Sequence, residues 1–198
     1  MRKREDIVPI ILAAGSSEAL PFPKALARFG RKTALQIAVD NCAAVGPAVV
    51  VLGCDATRIR RGAPKSARIV FNPQWREGQL SSLQRALEST LSSAAFLIYP
   101  VDHALIRRTT VMMLVRAFRA RSAPEEIVMP RHKGAYGHPV IVSAAVRAEF
   151  FEAATAREVM YHLPERIRVL EVSTSSIFED FSTPESYEMC RRKFAKRN

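Results

Sequence analysis

Short apolar runs alternate with longer amphipathic stretches along the sequence. Runs that are rich in valine and isoleucine and end at turn residues are typical of buried strands. The runs of this kind lie at 7–14, 48–52, 68–71, 96–99, 127–129 and 168–172. The segment 134–139 reads as a turn, from which the apolar residues 140–142 continue.

The stretches between the predicted strands have helical spacing. Leu83, Leu87 and Leu91 recur every four residues, and Thr33 suits the N-cap of the helix that follows it. The predicted helices lie at 33–45, 81–91 and 111–121, with two short helices after Val142 and a C-terminal helix that begins at Pro184, capped by Thr183. Strands and helices that alternate in this way form a mostly parallel sheet with helices on both faces. The sequence therefore predicts a three-layer α/β/α sandwich in a single domain, residues 1–198.

The composition is that of an ordinary globular domain, with 198 residues of which 48% are hydrophobic and 25% are charged. No apolar run approaches the roughly 18 residues that a membrane-spanning helix needs. The cysteines, Cys42, Cys54 and Cys190, are few and widely spaced, which indicates a reducing compartment rather than a disulfide framework or a zinc site. We therefore expect a cytoplasmic protein with no membrane partner.

The charge is strongly basic, with 30 Lys and Arg against 19 Asp and Glu, a formal net charge of +11. An excess of this sign favours anionic ligands such as nucleotides. Most of the arginines are scattered, as on solvated helix faces, and the only basic run is at 191–197. Nucleic-acid binding through this tail is an alternative hypothesis, but no aromatic residues interleave with the scattered basic residues as they do on nucleic-acid-binding surfaces.

The loop after the first predicted strand carries candidate chemistry, because ligands of such sheets bind at the carboxyl ends of the strands. Gly15, Ser16 and Ser17 are small enough for the backbone to approach a ligand and present N–H groups to anionic oxygens. Lys24 follows within reach of phosphate charge. The segment matches neither a P-loop nor a dinucleotide fingerprint, and a plain strand-to-helix connection explains the small residues equally well.

Several motifs in sequence order resemble one known family. They are Leu-Ala-Ala-Gly at 12–15 with Ser17 and Pro23-Lys24, Asn-Pro-Gln-Trp at 72–75 with Gly78, Ser-Ser-Leu at 81–83, Pro-Val-Asp-His at 100–103, Tyr-Gly-His-Pro-Val at 136–140 and Thr-Pro-Glu at 183–185. Together they resemble the MobA-like nucleotidyltransferases, and among these the molybdenum-cofactor cytidylyltransferase branch. The resemblance extends from the first predicted strand to the last predicted helix.

The resemblance implies a Rossmann-like fold of the nucleotide-diphospho-sugar transferase type. It also implies an Mg²⁺-dependent reaction in which a phosphorylated acceptor such as molybdopterin attacks the α-phosphorus of CTP and pyrophosphate leaves. The nucleotide-binding positions carried over are Leu12, Ala13, Ala14, Gly15, Ser17, Lys24, Gly78, Ser81 and Ser82. The catalytic positions are Lys24 and Asp102, the metal ligands are Asp102 and Asp180, and the acceptor-binding positions are Gly137 and His138.

Each of these residues also has a simpler interpretation. A carboxylate at the end of a strand can hold Mg²⁺ against phosphate oxygens, but Asp102 also suits a helix cap. Asp180 is equally consistent with a loop residue that has no site role, and His138 with a turn histidine bonded to the backbone. Ser81 and Ser82 suit either ligand contact or helix capping.

The phosphate loop departs from the family pattern, which has arginine, methionine and glycine where this chain has Ala19, Leu20 and Pro21. Glu18 adds a carboxylate, so Glu18 and Lys24 leave the segment 15–24 with no net charge. Arg28, Arg31 and Lys32 are the nearby cations that can compensate. Downstream, Ala104 replaces a proline, Ser182 replaces the second aspartate of an Asp-x-Asp motif, and residues 153–157 replace a Gly-Asp-x-Gly segment. The alternative hypothesis is therefore a catalytically impaired member that binds a nucleotide, a pterin or a protein partner.

Overall fold

The computed structural model describes residues 6–90 and 94–197, and its strands and helices alternate as predicted. In chain order the elements are β1 (Ile7–Ala13), β2 (Arg28–Phe29), β3 (Lys32–Thr33), α1 (Ala34–Cys42), β4 (Val49–Leu52), α2 (Ala56–Gly62), β5 (Arg68–Phe71), α3 (Gln79–Glu88), β6 (Ala95–Pro100), α4 (Arg108–Arg119), β7 (Ile127–His132), β8 (Ala135–Tyr136), β9 (Val140–Ser143), α5 (Glu149–Glu152), α6 (Ala156–Tyr161), β10 (Ile167–Glu171) and α7 (Pro184–Ala195). Short 3-10 turns lie in the connections between these elements, at Lys24–Leu26, Trp75–Glu77 and Ser175–Ile177.

The main sheet has the strand order β10-β7-β9-β6-β1-β4-β5, and β8 pairs with β7. Strand β1 lies at the centre and runs parallel to both β4 and β6. The pairs β4–β5 and β7–β10 are also parallel, whereas β9 runs antiparallel between β6 and β7. The mostly parallel sheet predicted from the sequence is confirmed.

Helices cover both faces of the sheet, and alternate residues of β1 point to the two layers. Ile11 and Ala13 belong to the core shared with α1, α4 and α7, while Ile10 and Leu12 belong to the core shared with α3, α5 and α6. A strand buried on both faces needs a continuous apolar run, which is the pattern that predicted β1. The three-layer arrangement is confirmed. Within the described ranges, none of the helices has the length and apolar character needed to cross a bilayer.

Two helix starts follow their predicted caps. The Thr33 hydroxyl accepts a hydrogen bond from the Gln36 backbone, and the Thr33 backbone donates to the Gln36 side chain, which together form a capping box. Thr183 caps α7 in the same manner, with Pro184 as the first helical residue. Helix α1 ends at Cys42, short of the predicted end, and α3 begins at Gln79 and ends at Glu88. Leu91, part of the predicted 81–91 helix, lies outside the described residues.

Some elements differ from the prediction. The sequence gives no signal for α2, whose only buried residue is Ile59, or for the β2–β3 hairpin, whose strands have two residues each. Helix α4 begins at Arg108 instead of 111, since its first turn is polar and lacks the apolar spacing. Strand β7 continues through Pro130 to His132 because β10 pairs with it as far as Arg131 and β8 pairs with Arg131 and His132.

Candidate functional site

A cleft opens at the carboxyl edge of the sheet around β1. The chain goes from β1 to β4 on one side and later returns from β5 to β6 on the other, so the strand order reverses at β1. Ligands of open α/β sheets bind at such a point. A cavity of about 530 Å³ lies there, and its lining includes Leu12, Ala13, Ala14, Gly15, Lys24, Trp75, Arg76, Gly78, Ser82 and Asp102.

Lys24 and Asp102, 78 residues apart in the sequence, meet in this cavity. The Nζ atom of Lys24 lies 2.9 Å from Oδ2 of Asp102, and the two side chains are 23% and 20% exposed. The backbone N–H of Lys24 donates to the Ser17 hydroxyl at 2.9 Å, which fixes the start of the Lys24–Leu26 turn. Asp102 is the second residue after the end of β6. Ser17 therefore supports Lys24 from behind and does not line the cavity.

The turn after β1 is held by backbone hydrogen bonds to the neighbouring strand ends. Cys54 donates to the Ala14 carbonyl at 2.8 Å, and Val101 donates to the Leu12 carbonyl at 3.1 Å. Gly15 is exposed, and a Cβ atom built there would meet nothing within 4 Å. The turn is thus fixed in place while its backbone stays open to a ligand.

A buried asparagine organises the opposite wall. The Nδ2 of Asn72 donates to the hydroxyls of Ser81 and Ser82, both at 3.0 Å, and its Oδ1 accepts from the Gln74 backbone at 3.0 Å. The Ser81 hydroxyl in turn contacts the carbonyls of Gln74 and Gly78 at 2.9 Å each. Ser82 lines the cavity, as does Gly78, whereas Ser81 holds the wall together from behind.

The 3-10 turn Trp75–Glu77 supplies two cavity residues whose position the sequence does not reveal. Trp75 packs so closely on Gly53 that a Cβ atom at Gly53 would lie 2.7 Å from Trp75 Cγ. The guanidinium carbon of Arg76 lies 4.4 Å from the centre of the Trp75 ring, a cation–π contact. Trp75 thus packs on the turn after β4 and also borders the cavity.

Two histidines lie together behind Asp102. The rings of His103 and His138 are 5.0 Å apart, and among the described residues neither Nδ1 atom has a hydrogen-bond partner. Burial is the main cause that lowers the pKa of His103; Lys24 lowers it further, and Asp102 and Asp180 oppose the shift. Burial, followed by the charge of His103, lowers the pKa of His138 to about 4, and Asp102 opposes the shift. Both imidazoles are therefore neutral near pH 7.

The predicted acceptor residues, Gly137 and His138, lie in the turn before β9, which packs on Ile177 and does not line the cavity. The His138 backbone donates to the Ile177 carbonyl at 2.7 Å, and a Cβ atom at Gly137 would lie 2.7 Å from the Ile177 carbonyl carbon, so only glycine fits there. Asp180 is exposed and close enough for its charge to act on His103, but it does not line the cavity. The described residues contain no group of three or more His, Cys, Asp or Glu side chains arranged to hold a metal ion.

The cations proposed from the sequence to compensate for Ala19 lie elsewhere. An Nη atom of Arg28 donates to the Arg31 carbonyl at 3.2 Å, and Lys32 pairs with Asp40 at 2.6 Å, all on the β2–β3 hairpin side of the fold. None of them lines the cavity. The basic tail is also partly neutralised within the chain, by contacts of Arg191 with Glu188 at 3.0 Å and of Lys193 with Glu179 at 2.8 Å.

The sheet order and the cleft at its reversal point place the protein in the Rossmann-like class of nucleotide-binding α/β folds. Residues 9–168 match the model of the MobA-like NTP transferase domain. The chain belongs to this family, as its motifs indicated, and is therefore a nucleotidyltransferase of the MobA-like kind.

Individual relatives are distant. The chain is 21% identical to the molybdenum cofactor cytidylyltransferase of Escherichia coli K12 over 94% of its own length and 96% of that protein. The crystal structure of Rv0371c from Mycobacterium tuberculosis H37Rv superposes with a TM-score of 0.84 at 22% identity, covering 96% of this chain and 99% of that one. A second structure of Rv0371c, in complex with manganese, has a TM-score of 0.78 at 22% identity and covers 94% and 98% of the two chains. At these identities the superpositions establish the fold.

Proposed function

We propose that the protein transfers a nucleoside monophosphate from CTP to a phosphorylated acceptor such as molybdopterin, that the reaction requires Mg²⁺, and that it takes place in the cytoplasm. The observation that carries this proposal is the meeting of Lys24 and Asp102, at 2.9 Å, in the cavity below the turn after β1. The name of the Escherichia coli relative supports cytidine as the base and molybdopterin as the acceptor class.

Different residues of the cavity bind the triphosphate, the nucleoside and the acceptor. The backbone of residues 13–16 and the ammonium group of Lys24 bind the triphosphate, and Gly78 and Ser82 border the nucleoside. A phosphate oxygen of the acceptor bonds to the α-phosphorus, and the bond from that phosphorus to the bridging oxygen of pyrophosphate breaks. An acceptor phosphate is already ionised at neutral pH, so no general base is needed. The neutral His103 and His138 fit this scheme as neighbours that bind or position the acceptor, with Gly137 beside them.

The donor set fits a hard divalent cation that is shared with the substrate. Asp102 offers carboxylate oxygens in the cavity, and Asp180 is a second carboxylate nearby. Magnesium is commonly held by one or two carboxylates while phosphate oxygens and water complete its shell, which agrees with the lack of a larger cluster among the described residues. When bound, the cation supplies positive charge that offsets the charge of the phosphate oxygens. The manganese complex of Rv0371c is consistent with such a site.

The test is a pyrophosphate-release assay with CTP, GTP, ATP and UTP in the presence of Mg²⁺ and a phosphorylated pterin acceptor. We expect release with CTP by the wild-type protein and its loss in Asp102→Ala. Asp40→Ala is the matched control, because Asp40 pairs with Lys32 outside the cavity. Equal release by the wild-type protein and Asp102→Ala would exclude catalysis at this site.

A second candidate function is nucleotide or pterin binding without transfer. It is favoured by the charges of the cavity, where Glu18 and Asp102 balance Lys24 and Arg76. Saturable binding of CTP by calorimetry, together with no pyrophosphate release for any nucleotide and acceptor pair, would select this function over transfer.

A further inference from the structure

Among the described residues that line the cavity, Arg76 is the cation that has no ion-pair partner. Lys24 is engaged by Asp102, and the Glu18 carboxylate accepts a hydrogen bond from Ser16 at 3.3 Å. Within residues 6–90 and 94–197, Arg76 makes no ion pair, and its contact is with the face of Trp75. The cavity as a whole has no net charge, but its wall at the end of β5 presents a free positive group.

The position of Arg76 is defined by the packing beneath it. Trp75 is seated against Gly53, and Asn72 fixes the segment that leads into the Trp75–Glu77 turn. Stacking on an aromatic face uses the plane of a guanidinium and leaves its N–H groups free at the edge. Since Arg76 is exposed and lines the cavity, those donors are available to a ligand that enters it.

The cavity wall formed by the loop after β1 lacks an arginine of this kind. The loop after β1 has the uncharged residues Ala19, Leu20 and Pro21, and the only charged residue between Gly15 and Lys24 is Glu18. Before a polyanion binds, Lys24 is shared with Asp102. For a triphosphate that lies along the Gly15 turn, the positive group that is free to bind it is therefore on the opposite side of the cleft, at the end of β5.

We infer that Arg76 binds the phosphate chain of the nucleotide and supplies, from the end of β5, the guanidinium contact that the loop after β1 does not provide. This inference rests on the proposed function, because it assumes that the cavity takes a nucleotide. Guanidinium groups bind phosphate through paired, charge-assisted hydrogen bonds. The contribution of Arg76 should therefore increase with the number of phosphates and fall as salt is added.

The experiment compares Arg76→Gln with the wild-type protein by calorimetric titration of CTP, CMP and inorganic pyrophosphate in Mg²⁺. Arg116→Gln on α4 is the control, since it removes the same charge from an exposed site outside the cavity. We expect Arg76→Gln to weaken the binding of CTP and of pyrophosphate at least roughly tenfold and to leave the affinity for CMP nearly unchanged. Adding Ala19→Arg to Arg76→Gln should restore part of the lost CTP affinity.

The results of these titrations distinguish the inference about Arg76 from the proposed function. If the wild-type protein binds CTP and Arg76→Gln binds it equally well, the inference about Arg76 is wrong while the proposed function stands. An equal loss for CMP and CTP would also overturn it, because the contact would then be with the base or sugar. If the wild-type protein binds neither CTP nor pyrophosphate, the proposed function fails, and the inference fails with it.

Discussion

The Nζ atom of Lys24 lies 2.9 Å from a carboxylate oxygen of Asp102, although Lys24 follows strand β1 and Asp102 follows strand β6, 78 residues further along the chain. The pair lies in the cavity, and both side chains retain some exposure to solvent. Under the proposed function, Lys24 would bind phosphate oxygens and Asp102 would hold the divalent cation.

Removing the lysine should weaken nucleotide binding without unfolding the protein. We predict that Lys24→Met raises the Kd for CTP in Mg²⁺ by roughly ten- to a hundredfold, the range expected for the loss of one charge-assisted hydrogen bond. Calorimetric titration measures the change. Lys32→Met is the matched control, because Lys32 forms a comparable ion pair with Asp40 outside the cavity. An unchanged Kd in Lys24→Met would remove Lys24 from the binding site.

The buried Asn72 should be important for stability and for the shape of the cavity wall. Its side chain is 1% exposed and takes part in hydrogen bonds to Ser81, Ser82 and the Gln74 backbone. We predict that Asn72→Ala lowers the free energy of unfolding by about 2–4 kcal/mol, measured by urea denaturation, since several buried bonds are lost together. The emission of Trp75, the single tryptophan of the chain, should shift as the wall loosens.

The control for this prediction is Gln74→Ala, because Gln74 is exposed and enters the network only through its backbone. We expect it to change the free energy of unfolding by less than about 0.5 kcal/mol. Equal stability of Asn72→Ala and Gln74→Ala would show that the hydrogen-bond network does not stabilise the wall.

Because of the histidine pair, the protein should become less stable as the pH is lowered. Burial lowers the pKa of His103 and of His138, the latter to about 4, so between about 6.5 and 4 the unfolded chain binds more protons than the folded one. The contribution of the histidines to the free energy of unfolding is therefore complete above their unfolded-state pKa. It is lost as the pH falls, by up to about 1.4 kcal/mol per pH unit for each histidine.

Urea denaturation at a series of pH values from about 7 to about 5 measures this loss. His138→Gln should flatten the dependence, and His162→Gln, at an exposed position, should leave it as in the wild-type protein. The same slope in His138→Gln and the wild-type protein would show that His138 does not have a lowered pKa.

The buried sheet was predictable because its residues are constrained on both faces. Strands β1, β4 and β6 are buried along nearly their whole length, so each appears in the sequence as an unbroken apolar run. Helix α2 has no such constraint: it buries only Ile59 and is otherwise largely arginine, which leaves no apolar period to detect. The two-residue strands of the β2–β3 hairpin are too short to show a pattern.

The site was predictable where it depends on strand ends and not where it depends on loops. Asp102 follows one predicted strand and Lys24 lies in the loop after another, and the carboxyl ends of parallel strands share one edge of the sheet. The position of Arg76 could not be predicted, since an exposed arginine in a short turn looks like any surface cation until β5 is placed beside β4. The contact between His103 and His138 depends likewise on the antiparallel strand β9, which brings a distant turn to the end of β6.

The central claim is that Asp102 couples nucleotide binding to a divalent cation in this cavity. Its most direct test is the affinity for CTP measured with Mg²⁺ and with a chelator, in the wild-type protein and in Asp102→Asn. We predict that Mg²⁺ tightens CTP binding at least roughly tenfold in the wild-type protein, and that this gain disappears in Asp102→Asn, as expected for loss of a carboxylate ligand. Binding that is indifferent to Mg²⁺ in the wild-type protein, or a full Mg²⁺ gain in Asp102→Asn, would contradict it.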